Sequence, residues 1–101
     1  MESAAYIWCR ILQELQNSRE IAQLEPLWES AEPICAENGV FALYIADREQ
    51  RSLFLERFFD ETERILHDTL NSELQLELWD DEKTAAFRSD PMVVARINPQ
   101  Y

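Results

Sequence analysis

Pro33-Ile34-Cys35-Ala36-Glu37-Asn38-Gly39-Val40-Phe41-Ala42-Leu43-Tyr44-Ile45-Ala46 decides the fold. Asn-Gly is the residue pair that most readily adopts positive φ twice, as a type I′ turn requires, so Pro33 to Glu37 and Val40 to Ala46 are expected to form a β-hairpin. In the second strand Phe41, Leu43 and Ile45 alternate with Val40, Ala42 and Tyr44, giving one strongly apolar face and one partly apolar face. The first strand is expected to be short and to lie at a sheet edge.

Helices flank the hairpin. Upstream, Ser3 can cap a helix to Gln16 whose Trp8, Ile11, Leu12 and Leu15 recur at i, i+3, i+4, i+7 as one apolar stripe. Asn17 followed by Glu20 has the spacing of a capping box for a second helix with Ile21, Leu24 and Trp28 inward. Pro26 is expected to kink that helix near Glu25 or to restart it. Downstream, Asp47 with Gln50 three positions later caps a long third helix to about Asn71, with Leu55, Phe58, Phe59, Thr62, Ile65, Leu66, Thr69 and Leu70 facing inward. Leu74, Leu76 and Leu78 then alternate with Gln75, Glu77 and Trp79 in a third strand. The order α-α-β-β-α-β predicts an α+β domain of two layers, a three-stranded sheet with helices on one face.

With 101 residues, 47% of them apolar, the chain has room for one domain with a small core. Its net charge is −11, and Lys83 is its only lysine. Residues 1–82 carry six bases and nineteen acids, whereas 83–101 carry three bases and one acid. That shift, with Pro91 and Pro99, places an expected boundary near Lys83, before a loosely ordered linker over 83–101. So few cations argue for weak or no nucleic-acid binding, because such affinity rests on Lys and Arg neutralising phosphates.

Cys9 and Cys35 lack CxxC spacing and are expected to be buried, reduced thiols of a cytoplasmic protein. No run near 18 apolar residues suggests a membrane span. The only histidine, His67, is expected to pair with Glu63 one turn earlier; Glu-x-x-x-His alone supplies neither a metal site nor a catalytic centre. Arg48, Arg51, Arg57 and Arg64 among Glu49, Glu56, Asp60, Glu61 and Glu63 read as a solvated face laced with ion pairs. Nothing here implies an enzyme, a cofactor or a metal.

Ile7-Trp8 with Ile11, Leu12 and Leu15, then Trp28, then Glu32-Pro33-Ile34 leading to Asn38-Gly39 and Leu43-Tyr44-Ile45, followed by the aromatic-rich helix, resembles domain I of the bacterial replication initiator DnaA over residues 2–82. Asn98-Pro99-Gln100-Tyr101 is similar to the Asn-Pro-x-Tyr that opens the ATPase domain of that family. The resemblance implies a fold like a type II KH domain and an interaction domain over 1–82, with a linker over 83–101 leading to an ATPase domain. It also implies self-association through the first helix and recruitment of the replicative helicase and initiator regulators.

The partner-facing set so implied is Trp8, Glu20, Leu24, Glu25, Trp28 and Glu49. Trp8 aligns with the self-association tryptophan and is equally a core residue of its stripe. The family's helix-2 acid falls on Gln23 or Leu24, with Glu20 and Glu25 nearby, and Glu49 stands where its helix-3 aromatic would be. As an N-terminal-turn acid, Glu49 also simply suits the helix dipole. A GxxG clamp and a GxxxxGK[ST] phosphate loop are both absent, and Gly39 is the single glycine. A rival reading is a free acidic inhibitor that blocks a DNA-binding protein by imitating phosphate charge.

Overall fold

Asn38 and Gly39 both take positive φ, 54° and 79°, and join two antiparallel strands. The computed structural model describes residues 3–89. In chain order these form α1 (Ala4–Leu15), α2 (Ile21–Ser30), β1 (Ala31–Glu37), β2 (Val40–Ile45), a long helix α3 over residues 48–69, β3 (Gln75–Trp79) and α4 (Asp81–Ser89). β2 is central, antiparallel to β1 and parallel to β3. The molecule is thus an α+β domain built on a mixed three-stranded sheet.

β1 is the expected edge strand but starts two residues earlier, at Ala31. Pro33 sits inside it, which an edge tolerates because the missing N–H need not face a neighbour. The register slips between Pro33 and Cys35, so a bulge at Ile34 shifts the alternation: Ala31 and Pro33 pair with Ile45 and Leu43, and Ala36 with Phe41.

Phe41, Leu43 and Ile45 of β2 and Leu76 of β3 carry one sheet face into the core. Ile7, Trp8, Ile11 and Leu15 of α1, Leu24 and Leu27 of α2, and Phe54, Phe58, Ile65 and Leu66 of α3 meet them there. The caps predicted at both ends of this arrangement form. Ser3 Oγ accepts from the Tyr6 N–H at 3.1 Å, and Asp47 Oδ1 accepts from the Gln50 N–H at 3.0 Å.

The capping box at Asn17 does not form. Residues 16–18 continue the turn of α1, the Asn17 N–H donating to the Glu14 carbonyl and the Ser18 N–H to that of Leu15, so α2 starts at Ile21 with no side-chain cap. Pro26 lies within α2 without ending it. Cys9 is exposed and Cys35 half-buried, against the expected burial of both, because α1 turns its Trp8 stripe inward and Cys9 outward.

α3 departs from a regular helix twice. It is α-helical over Arg48–Leu53 and Phe59–Arg64, with wide π turns over Phe54–Phe58 and Ile65–Thr69. The first wide turn accommodates one extra residue, so every position on its N-terminal side slips by one relative to a 3.6-residue period. Phe54 is therefore buried, and Leu55, expected inside, is 53% exposed. Asn71, with φ 54°, ends the helix in the left-handed region.

The side chain of Thr62 is fully buried on α3 with its hydroxyl unpartnered. A buried hydroxyl without a partner costs about 1 to 3 kcal/mol, so Thr62→Val is expected to stabilise the domain by roughly 1 kcal/mol. A lower urea midpoint for the variant would show that the hydroxyl has a partner after all.

The expected linker does not begin at Lys83. Residues 81–89 form α4, capped by Asp80, whose Oδ1 accepts from the Lys83 N–H at 2.7 Å. Helices consequently cover both sheet faces, since α4 meets Tyr44, Glu77 and Trp79, which alternate away from the core side. No sustained apolar period marks this helix, because its contacts with the rest of the fold are mostly ion pairs and hydrogen bonds. The remaining residues of the expected linker and the Asn98-Pro99-Gln100-Tyr101 motif lie outside the described residues.

Candidate functional site

Trp8 and Leu24, two of the six partner-facing candidates, are core residues, 4% and 0% exposed. Neither has surface to offer a partner: α1 and α2 each turn their apolar stripe onto the sheet, and both side chains belong to it. Trp28 is half-buried and shares a shallow apolar depression with Cys9, Leu12, Gln13 and Gln16. Glu20, Glu25 and Glu49 are exposed on the start of α2, its outer face and the first turn of α3.

A cleft lies between α2 and the first half of α3, and none of the six lines it. Its floor is Leu27, Phe54 and Phe58, and its rim includes Gln23, Gln50 and two arginines. It spans about 650 Å³, counting the solvent at its mouth. Gln23 is one of the two positions on which the implied helix-2 acid falls, and Gln50 is the immediate neighbour of Glu49. The helical phase decides this, turning Leu24 inward and leaving Gln23 at the rim.

In a chain of net charge −11, the charged residues lining this cleft are Arg19 and Arg57, with no acid among them. Arg19 is fixed: its Nε donates to Glu61 Oε1 at 2.9 Å, its Nη2 to the Arg57 carbonyl at 3.2 Å, and its guanidinium lies 4.7 Å from the centre of the Phe58 ring. Arg57 makes no ion pair among the described residues, nor do Arg48 and Arg64.

The expected lacing of arginines with neighbouring acids along α3 thus does not form. The ion pairs that α3 makes reach other segments instead, Glu61 to Arg19 and Arg51 to Asp81. The wide turn over Phe54–Phe58 contains Arg57 and carries both floor aromatics. No sequence period announced it. Apolar floor, amide rim and an available guanidinium suit an apolar side chain flanked by a carboxylate.

His67 also differs from expectation. Its Nε2 donates to the Leu74 carbonyl at 2.8 Å, tying the end of α3 to the start of β3, and it has no bond to Glu63. Among the described residues no group of three His, Cys, Asp or Glu side chains could hold a metal ion, and no helix is long and apolar enough to cross a membrane.

The second sheet face carries a polar node. The Tyr44 hydroxyl donates to Asp81 Oδ1 at 2.6 Å, and Arg51 Nη2 donates to the same oxygen at 3.0 Å while Arg51 Nε donates to the Ile45 carbonyl at 2.8 Å. The Tyr44 hydrogen bond, followed by that of Arg51, holds the Asp81 carboxyl below its ordinary range, with Arg48 adding to this. The same bond to Asp81 raises Tyr44, against the opposing charges of Arg51 and Arg88. The Trp79 indole N–H lowers Glu77 in the same way, aided by Lys83.

These shifts set a pH window. A lowered Asp81 stabilises the folded state above its unfolded value and loses that contribution as pH falls through the lowered one; a raised Tyr44 contributes below its ordinary value, about 10, and loses it as pH rises further. Trp79 fluorescence, reporting the α4 contact, is therefore expected to stay constant across the neutral range and change only in strong acid or strong base. A transition centred near neutrality would contradict this assignment.

No protein-family model, no curated protein and no solved structure matches the chain.

Proposed function

We propose that this chain is a protein-interaction domain of a bacterial replication initiator, similar to DnaA domain I with its type II KH-like fold, and that it docks partners in the cleft between α2 and α3. The observation that carries the reading is this cleft. The resemblance points to helix 2 and the start of helix 3 as the partner-binding surface, and Gln23 and Gln50 from those segments share one concavity. The order α-α-β-β-α-β over residues 4–79 supports the same reading.

The chemistry is altered relative to the resemblance. With Gln23 near the expected acid and arginines at the rim, a partner inserts an apolar side chain over Leu27, Phe54 and Phe58 and sets a carboxylate against Arg57. The replicative helicase and initiator regulators are the partners this reading names. Self-association through α1 uses its exposed side, Tyr6 and Cys9, since Trp8 is enclosed. Nucleotide binding and duplex-origin recognition belong to other parts of such an initiator.

Arg57→Glu is expected to weaken binding of the source organism's purified replicative helicase at least about tenfold, equivalent to about 1.4 kcal/mol, while Glu73→Gln on a distant exposed site changes it little. Biolayer interferometry with immobilised domain reads both. Equal affinities for wild type and Arg57→Glu would remove the cleft from the reading.

A further inference from the structure

α4 is joined to β3 by the single residue Asp80 and adds no side chain to the main core cluster. Among the described residues its attachments to the sheet and to α3 are three ion pairs, Asp81 to Arg51 of α3 at 3.0 Å, Lys83 to Glu77 at 3.4 Å and Arg88 to Glu32 at 2.6 Å, with the Tyr44 hydroxyl on Asp81, the Lys83 ammonium 5.0 Å from the centre of the Trp79 ring and the edge-on contact of Phe87 with Trp79 at 5.2 Å between centroids. Most of these groups are solvent-exposed, where pairing in high dielectric is weak and salt-screened. Thr84 is the buried side chain of α4, and its hydroxyl finds no partner, which opposes seating.

The seat itself is built independently of α4. Arg51 is held by the Ile45 carbonyl, and Tyr44 and Trp79 are adjacent across the parallel β2 and β3 register. When α4 leaves, the Arg51 guanidinium held from α3 and the Tyr44 phenol beside the Trp79 indole on the sheet remain. We propose that α4 is a displaceable strap occupying a recognition surface, and that the surface takes a partner peptide presenting a carboxylate to Arg51 and Tyr44 and an aromatic ring to Trp79. Asp81 and Phe87 are the tethered version of that ligand. The charge complementarity that seats them selects the competitor, and screening or competition releases the strap while the core stays folded.

Amide hydrogen exchange on the full chain tests the strap. The amides of residues 85–89 are expected to exchange at least about tenfold faster than those of β2, and to accelerate further when NaCl rises from about 0.02 to about 0.5 M while β2 protection is unchanged. Exchange of α4 in step with β2 at both salt concentrations would overturn it. The surface is tested with a fluorescein-labelled synthetic peptide of residues 80–89. Saturable binding to the Asp81→Asn/Phe87→Ala chain, at least tenfold tighter than to wild type and lost on adding Arg51→Ala, is the expected result. No binding, or binding indifferent to Arg51→Ala, would refute the surface, and if the double variant fails to fold the exchange measurement still decides the strap.

Discussion

Trp8→Ala is expected to destabilise the domain by roughly 3 to 5 kcal/mol, the range for truncating a buried tryptophan. Trp8 is 4% exposed, in a cluster that joins α1 to the sheet and to α3, so its loss opens a cavity that neighbours from several elements would have to collapse to fill. For a domain this small such a loss is a large share of its whole stability. Urea denaturation followed by circular dichroism should show the midpoint fall steeply or the native baseline vanish. A variant of near-native stability whose self-association alone is weakened would mean that Trp8 works at an interface and that its enclosure is incidental.

The second large effect separates neighbours. Phe54→Ala is expected to cost roughly 3 to 5 kcal/mol and Leu55→Ala less than about 0.5 kcal/mol, because the side chain of Phe54 is fully enclosed, edge-on to Phe59 at 6.1 Å between centroids, whereas Leu55 is largely in solvent. A regular helix would reverse the order. Thermal melts of both variants therefore read the helical register of α3 directly: a costly Leu55→Ala with a mild Phe54→Ala would show that the wide turn over Phe54–Phe58 does not exist in solution.

That pair also shows where the sequence was legible. Alternation in β2 and β3, the Asn38-Gly39 turn, the stripe of α1 and the caps at Ser3 and Asp47 are local signals, each complete within a few residues, and each formed as read. The wide turn in α3 left no such signal, since an inserted residue changes phase without changing composition, and it displaced Leu55 and built the cleft beyond anyone's helical wheel. α4 escaped for a related reason. Its pairing of Asp81 with Arg51 spans 30 positions and that of Arg88 with Glu32 spans 56, and the local mark it does carry, the Asp80 cap with Asp81 and Glu82 in the first turn, has no apolar period behind it.

The candidate site was legible only to within one residue. Of the two positions open for the helix-2 acid, Gln23 and Leu24, it is Gln23 that lines the cleft; beside Glu49 it is Gln50 that does so, and Arg57 carries no local mark that sets it apart from the other arginines of α3. The sequence of α1 suits Trp8 to core and interface alike, and only its packing decides its burial.

If partners dock in the concavity between α2 and α3, its lining residues register their arrival in solution. Titrating the isotopically labelled chain with the source organism's replicative helicase, and following backbone amide resonances, tests it most directly. Saturable shifts or broadening are expected to concentrate at Gln23, Gln50, Leu53 and Arg57. Unperturbed spectra at saturating helicase, or perturbations confined to the acidic outer surface while those four stay still, would contradict it.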